Sequence, residues 1–217
     1  MTLTQADVVT AAVDLLDEVG LQQLTLRRLA DRLGVRAPTL YWHVDDKRTL
    51  LDLMAARILA DAQPDAMDEP LPGQPWWAWL GDRSRAMFAA LVAHRDAPLV
   101  VAGNRPTTAD LPRVDRLLRV LADHGLHPTD AMTILFAIGN YVIGSAVEWQ
   151  AESQRSVDAE GGRAAMETVA LLHEDPDAFP TLRAAFQGMQ AQDQTTTFER
   201  GLGMLLDGLR AQHADRP

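Results

Sequence analysis

The side chains best equipped for chemistry cluster between positions 27 and 47: Arg27, Arg36, Ala37, Pro38, Thr39, Tyr41, Trp42, His43 and Lys47. A guanidinium fork can pair with a guanine edge, and small or apolar groups can approach a thymine methyl. Indole, imidazole and ammonium N–H groups can anchor phosphates. This mixture suits non-covalent recognition of a DNA duplex and not covalent chemistry. Elsewhere, Asp123, His124 and His127 gather near one another, but Gly125 and Pro128 mark a turn between helices, so His124 reads as a cation at a helix C-terminus. His94-Arg95-Asp96 before Pro98 reads the same way. No phosphate loop, nucleophile elbow or zinc-helix motif is present, so the expectation is a protein that is not an enzyme and uses no metal or cofactor. The absence of cysteine removes disulfides, thiolate chemistry and Cys-based zinc sites.

The elements that must hold these groups read as helices. Apolar residues Val8, Ala11, Ala12, Leu15, Leu16 and Val19 recur at helical spacing in 4–19, opened by Thr4 and closed by Gly20. Thr25 stands at an N-cap position for 26–33, and Gly34 follows as a breaker. A third helix begins near Ala37, tolerates Pro38 in its first turn, and runs to about His43; a fourth spans 47–62. Two short helices joined by Gly34-Val35-Arg36 form a helix-turn-helix pattern, with Leu29, Leu33, Val35 and Leu40 packing on helix one.

The prolines and acids of 63–75 mark a linker, so the expected division is a DNA-binding domain over 1–62, including the connecting helix, and a larger helical domain over 63–217. Further helices are expected at 76–94, 106–124, 129–151, 161–172 and 181–213, with loops at 155–163 and 174–180. No strand-like alternation appears, so the fold class is all-α. Gly or Pro and charge interrupt the apolar stretches, so no membrane span is expected, and without a secretory signal the cytoplasm is the expected location.

A formal net charge of −10 argues against a nucleic-acid partner when taken alone. Its distribution reverses the argument. Residues 24–50 carry +3 while the rest of the chain carries −13, a basic patch on an acidic body.

The strings Thr25-Leu26-Arg27-Arg28-Leu29-Ala30-Asp31-Arg32-Leu33-Gly34-Val35, Pro38-Thr39-Leu40-Tyr41-Trp42-His43-Val44 and Lys47-Arg48-Thr49-Leu50-Leu51-Asp52 resemble the N-terminal domain of the tetracycline-repressor family. The resemblance is close over 3–59. It extends more loosely through Trp76, Arg95-Asp96, Gly103-Asn104-Arg105-Pro106, Gly144, Glu148 and Phe198 into a C-terminal domain similar to that of the repressor from which the family takes its name. It implies that Arg27 bonds a guanine edge, that Pro38 and Thr39 contact bases, and that Tyr41 packs on backbone and a thymine methyl. Trp42, His43 and Lys47 would anchor phosphates. Leu26 and Ala37 replace polar contact residues of that repressor, which implies a different operator.

The resemblance also implies a homodimer released from double-stranded operator DNA by a small-molecule inducer. Segments 131–151 and 197–209, rich in small residues, are the expected dimer helices, although their glycines could equally serve packing within one chain. The inducer-contacting positions fall on Gln63, Arg83, Met87, Val101, Asn104, Leu117 and Glu148, with Asn140 and Tyr141 nearby. Val101 stands where the metal-ligating histidine would be, and of the other positions only Glu148 keeps its type, so neither tetracycline nor a metal is expected. An Arg83 facing an apolar cavity near Asn104, Asn140 and Glu148 would favour an acidic or carbonyl-rich ligand. Trp76, Trp77, Trp79, Phe88 and Trp149 read chiefly as core. The competing class is an all-helical dimeric ligand-binding or interaction module without specific DNA binding, supported by the acidic total.

Overall fold

The computed structural model describes residues 3–63, 67–103, 107–157, 179–190 and 193–214. Among these residues every regular element is helical: α1 Gln5–Val19, α2 Leu26–Leu33, α3 Ala37–Leu40, α4 Lys47–Ala62, α5 Trp76–Ala93, α6 Ala97–Val101, α7 Leu111–Asp123, α8 Pro128–Val157, α9 Pro180–Gln190 and α10 Gln194–Ala214.

Local chemistry sets the first boundaries. Thr4 and Asp7 form a reciprocal capping box at the start of α1, each side chain bonded to the other's backbone N–H. Thr25 Oγ1 accepts from the Arg28 N–H, 3.2 Å away, to open α2. Gly34 closes it at φ 66°, ψ 27°, with the Val35 N–H reaching back to the Ala30 carbonyl. That left-handed turn is where a side chain would be strained. Leu29 and Leu40 are buried in the core that α1 shares, and Leu33 and Val35 pack against the same core. The regular part of α3 ends at Leu40, earlier than the expected His43. The chain keeps turning, however, with the N–H groups of His43 and Val44 both donating to the Leu40 carbonyl.

From the three-helix unit, α4 runs into the larger assembly, packing on α1 on one side and on α5 and α6 on the other. α5 and α8 form the central pair, with α6, α7 and α10 against them. Hydrogen bonds tie the N-terminal unit to the corner between α5 and α6 and to the end of α6. The Leu21 N–H donates to Asp96 Oδ2 (2.7 Å), and Asp17 accepts from the Arg95 N–H and bonds the His94 ring. Arg48 reaches the Gly103 carbonyl. Gln150 of α8 accepts from the Asp96 N–H at the same corner.

Beyond α3, three more elements differ from expectation, and the stretch expected at 181–213, whose breaks the sequence left open, is divided into α9 and α10. α6 is too short for apolar periodicity to show. α7 starts at Leu111 because Asp110 folds residues 107–110 into a turn, accepting from the Thr107 N–H and hydroxyl. α8 continues to Val157 instead of giving way to a loop near Arg155, its last turns carried by exposed polar residues and an Arg155–Glu152 ion pair. The helix expected at 161–172 lies outside the described residues, as does all but the end of the 174–180 loop.

Residues Pro128–Arg155 are long and apolar enough, by length and composition, to cross a membrane, although the sequence reading expected no such segment. The helix is apolar on both faces. Ala131, Ile134, Ile138, Val142 and Ala146 are buried inward, while Phe136 and Gly144 are exposed on the other side.

Candidate nucleic-acid interface and ligand-side residues

The helix-turn-helix presents its polar and aromatic groups outward. Arg27, Arg36, Ala37, Pro38, Tyr41, Trp42 and Lys47 are exposed, and Thr39 and His43 are half-buried. Trp42, at 87% exposure, has almost no intrachain reason to be where it is. The surface is held from behind: Leu40 and Val44 are buried on either side of the turn, and Gln5 of α1 donates to the His43 carbonyl at 2.8 Å.

The six bases of the patch divide into two groups. Arg32 pairs with Glu18 at 2.6 Å, Arg28 donates to Gln23 Oε1, and Arg48 pairs with Asp52 while holding Gly103. Arg27 and Arg36 make no ion pair among the described residues, and Lys47 makes only a 3.4 Å contact to the Leu21 carbonyl. Three uncommitted cations beside two exposed aromatic rings can neutralise phosphates and meet base edges at no internal cost.

On the ligand side the structure joins two of the named residues and separates the rest. Gln63, the C-cap of α4, donates to the Arg83 carbonyl at 2.9 Å and accepts from the Arg83 guanidinium at 2.6 Å. Met87 lies one turn further along α5, half-buried. Val101 is buried on α6, and Leu117 is half-buried on α7. Tyr141 is half-buried, its hydroxyl donating to the Phe198 carbonyl of α10. Asn140 and Glu148 are exposed on α8, with Glu148 3.9 Å from Arg155. Asn104 lies outside the described residues.

Arg83 faces no open apolar cavity. Its side chain is 6% exposed, stacks over the Trp79 ring at 5.3 Å, donates to the Met67 carbonyl, and pairs with Asp68 at 3.4 Å. Burial, and after it the neighbouring charge of Arg113, pull its guanidinium down to about 10, well above neutrality. Asp68 also accepts from Arg113 at 2.9 Å and Arg116 at 3.2 Å, and Arg113 donates to the Gln63 carbonyl. Asp68, Arg113 and Arg116 form a functional-looking cluster that sequence reasoning missed. The only signal was the i, i+3 spacing of Arg113 and Arg116 on an amphipathic helix, and Asp68 sits in a segment whose composition reads as linker. Far from being a free linker, that segment is anchored at Met67 and Asp68. Among the described residues no group of three His, Cys, Asp or Glu side chains could hold a metal ion.

The outward faces of α8 and α10 carry Phe136 at 65% exposure and Met204 at 69%. Gly139, Gly144, Gly203 and Gly208 meet nothing within 4 Å at a Cβ position, whereas Gly201 abuts Tyr141. Of these glycines, therefore, only Gly201 serves packing among the described residues. The buried rings form a separate joint: Phe88 stacks on Phe198 at 3.9 Å and meets Trp149 edge-on.

Residues 8–54 match the family described as bacterial regulatory proteins, tetR family, and residues 69–213 match the tetracyclin repressor-like C-terminal domain. The tetracycline repressor protein class A from transposon 1721 of Escherichia coli is 36% identical over 202 residues, 93% of this chain and 88% of that protein. A tetracycline repressor from Acinetobacter baumannii AYE, solved in complex with minocycline, is similar at TM-score 0.74 and 32% identity, over 98% of this chain and 99% of that one. Apo ActR from Streptomyces coelicolor is similar at TM-score 0.83 and 28% identity, over 99% of each chain.

Proposed function

The chain belongs to the tetR family of bacterial regulatory proteins, and from that membership we propose that it is a ligand-responsive transcriptional repressor, a homodimer that leaves its operator when a small-molecule inducer binds. The observation that carries the DNA-binding part is the outward set of Arg27, Arg36, Lys47, Tyr41 and Trp42 on a helix-turn-helix, with the other three bases of the patch tied down internally. The recognition turn enters the major groove with Pro38 and Thr39 nearest the bases, and His43 and Lys47 flank it at the phosphates. It acts in the cytoplasm, where the operator is reached.

One recognition turn buries too little surface for tight binding, so two must act together, about 34–36 Å apart on successive major-groove faces. The open glycines and apolar side chains on the outer faces of α8 and α10 support those helices as the pairing surface. The division at residues 62 and 63 then separates a reading head from a sensing and pairing body, joined mechanically by α4. A ligand acts by favouring a head spacing that the operator rejects.

The residues at hand do not fit a magnesium–tetracycline chelate. Val101 offers no donor atom, and Gln63 and Arg83 are engaged with each other. The chain's inducer is a different molecule, and calorimetry with magnesium and tetracycline is expected to show no tight binding. The central test is fluorescence anisotropy with duplexes from around the chain's own gene. Salt-steep, sequence-selective binding supports the repressor, and no binding at low salt overturns it in favour of a non-DNA helical module.

A further inference from the structure

We propose that Asp68 occupies, as a built-in stand-in, an anion site formed by Arg83, Arg113 and Arg116, and that the inducer carries a carboxylate which displaces it. The proposal rests on the repressor reading and deepens it by naming the ligand class.

Asp68 is 3% exposed in its side chain although it lies in a proline-rich stretch that gives the chain no local reason to bury a charge. Its Oδ1 accepts from Arg83 and Arg113 and its Oδ2 from Arg116, the geometry in which arginines receive any carboxylate. Three guanidiniums contact this one carboxylate, so two positive charges are left uncompensated by it: Arg83 is buried, while Arg113 and Arg116 reach solvent at 25% and 41% side-chain exposure. The excess suits a site that exchanges one anion for another.

The cluster is also reachable. Arg116 is 41% exposed in its side chain and lines an open cleft of about 240 Å³ together with Arg119, His124, Glu69 and Asp123. Of the three arginines that hold Asp68, Arg116 is the one that lines this cleft, and Glu69 of the lining adjoins Asp68 in sequence. Its consequence reaches the DNA-facing end through α4. Arg83 and Arg113, two of the three side chains that hold Asp68, also donate to Gln63 at the end of that helix. An incoming carboxylate that draws these guanidiniums toward itself loosens their hold on Gln63, and so couples the site to the helix that carries the reading head.

The test compares benzoate with benzamide, which has nearly the same shape and no charge, by titration calorimetry on the full chain, its Asp68→Asn variant and its Arg116→Gln variant. The expected result is binding of benzoate and not benzamide to the parent, about tenfold tighter binding of benzoate to Asp68→Asn, and about tenfold weaker binding to Arg116→Gln. Equal responses to the two probes, or no tightening in Asp68→Asn, overturn the proposal. Should Asp68→Asn fail to fold, the parent and the half-exposed Arg116→Gln decide it by the same charge selectivity and its loss. Operator anisotropy on the same samples separates the two readings. Operator binding without benzoate selectivity overturns the anion site alone, and benzoate selectivity without operator binding overturns the repressor reading alone.

Discussion

The Tyr141 hydroxyl donates to the Phe198 carbonyl across 2.9 Å, and one turn further along α10 Gly201 faces that same hydroxyl so closely that a Cβ there would overlap it. The contact brings α8 and α10 together where Phe88 and Tyr141 both stack on Phe198. Gly201→Ala is therefore expected to destabilise the chain by about 1–3 kcal/mol through overpacking. Tyr141→Phe in the same chain should restore part of the loss by removing the hydroxyl. Thermal unfolding of the two single variants and the double variant checks this, and purely additive losses would contradict the contact.

The opposite faces of these helices have no such contact among the described residues. Phe136 and Met204 are each more than half exposed, and a charge placed there meets solvent in a monomer but an apolar partner in a dimer. Phe136→Glu and Met204→Glu should each raise the dimer dissociation constant at least tenfold, about 1.4 kcal/mol or more, while leaving monomer helicity intact. Sedimentation velocity across a dilution series reads the first quantity, and circular dichroism the second.

The carboxylates of Asp7 and Asp46 cap helices that frame the reading head. Hydrogen bonds lower both below the ordinary carboxylate range, from the Thr4 side chain for Asp7 and from the Thr49 backbone N–H for Asp46. A carboxylate that is more acidic folded than unfolded contributes stability above its unfolded value and loses it as the pH falls through its folded value. Hydrogen-exchange protection factors at the first turns of α1 and α4, taken relative to the intrinsic exchange rate at each pH, should thus hold at neutral pH and fall only on acidification below the usual carboxylate range. Asp46→Asn, which keeps a capping oxygen but cannot titrate there, should flatten that dependence at α4.

How much of this was legible in the sequence follows from the range of the forces involved. Thr25 and Gly34 act on neighbours within a single turn, and Leu29 and Leu40 repeat a local period, so the helix-turn-helix could be read almost residue by residue. α6 has too few residues to express a period. Asp68 is held by Arg83, Arg113 and Arg116, between 15 and 48 positions away along the chain. Pairings of that separation leave no mark on local spacing, so Arg83 read as a free ligand-facing charge. The outward stripe of α8 is legible only when the rest of the fold shows which apolar face is already covered.

On the proposed reading head, Arg27 and Lys47 carry different kinds of information. Arg27 is exposed and free of ion pairs among the described residues, and its fork can discriminate a guanine, whereas Lys47 offers a point charge that any phosphate accepts. Arg27→Ala should cost about 1–3 kcal/mol on the operator and much less on random duplex, relaxing discrimination at one base pair in each half-site. Lys47→Ala should weaken both duplexes alike and reduce the salt slope by about one per reading head. Arg28→Ala serves as the internal control, because Arg28 is turned to Gln23 at 2.7 Å and its loss should change affinity least. Anisotropy titrations of the three variants over a range of salt concentrations distinguish these outcomes. An unchanged operator-to-random ratio for Arg27→Ala would remove this residue from base recognition and move that role to Pro38, Thr39 and the exposed rings beside them.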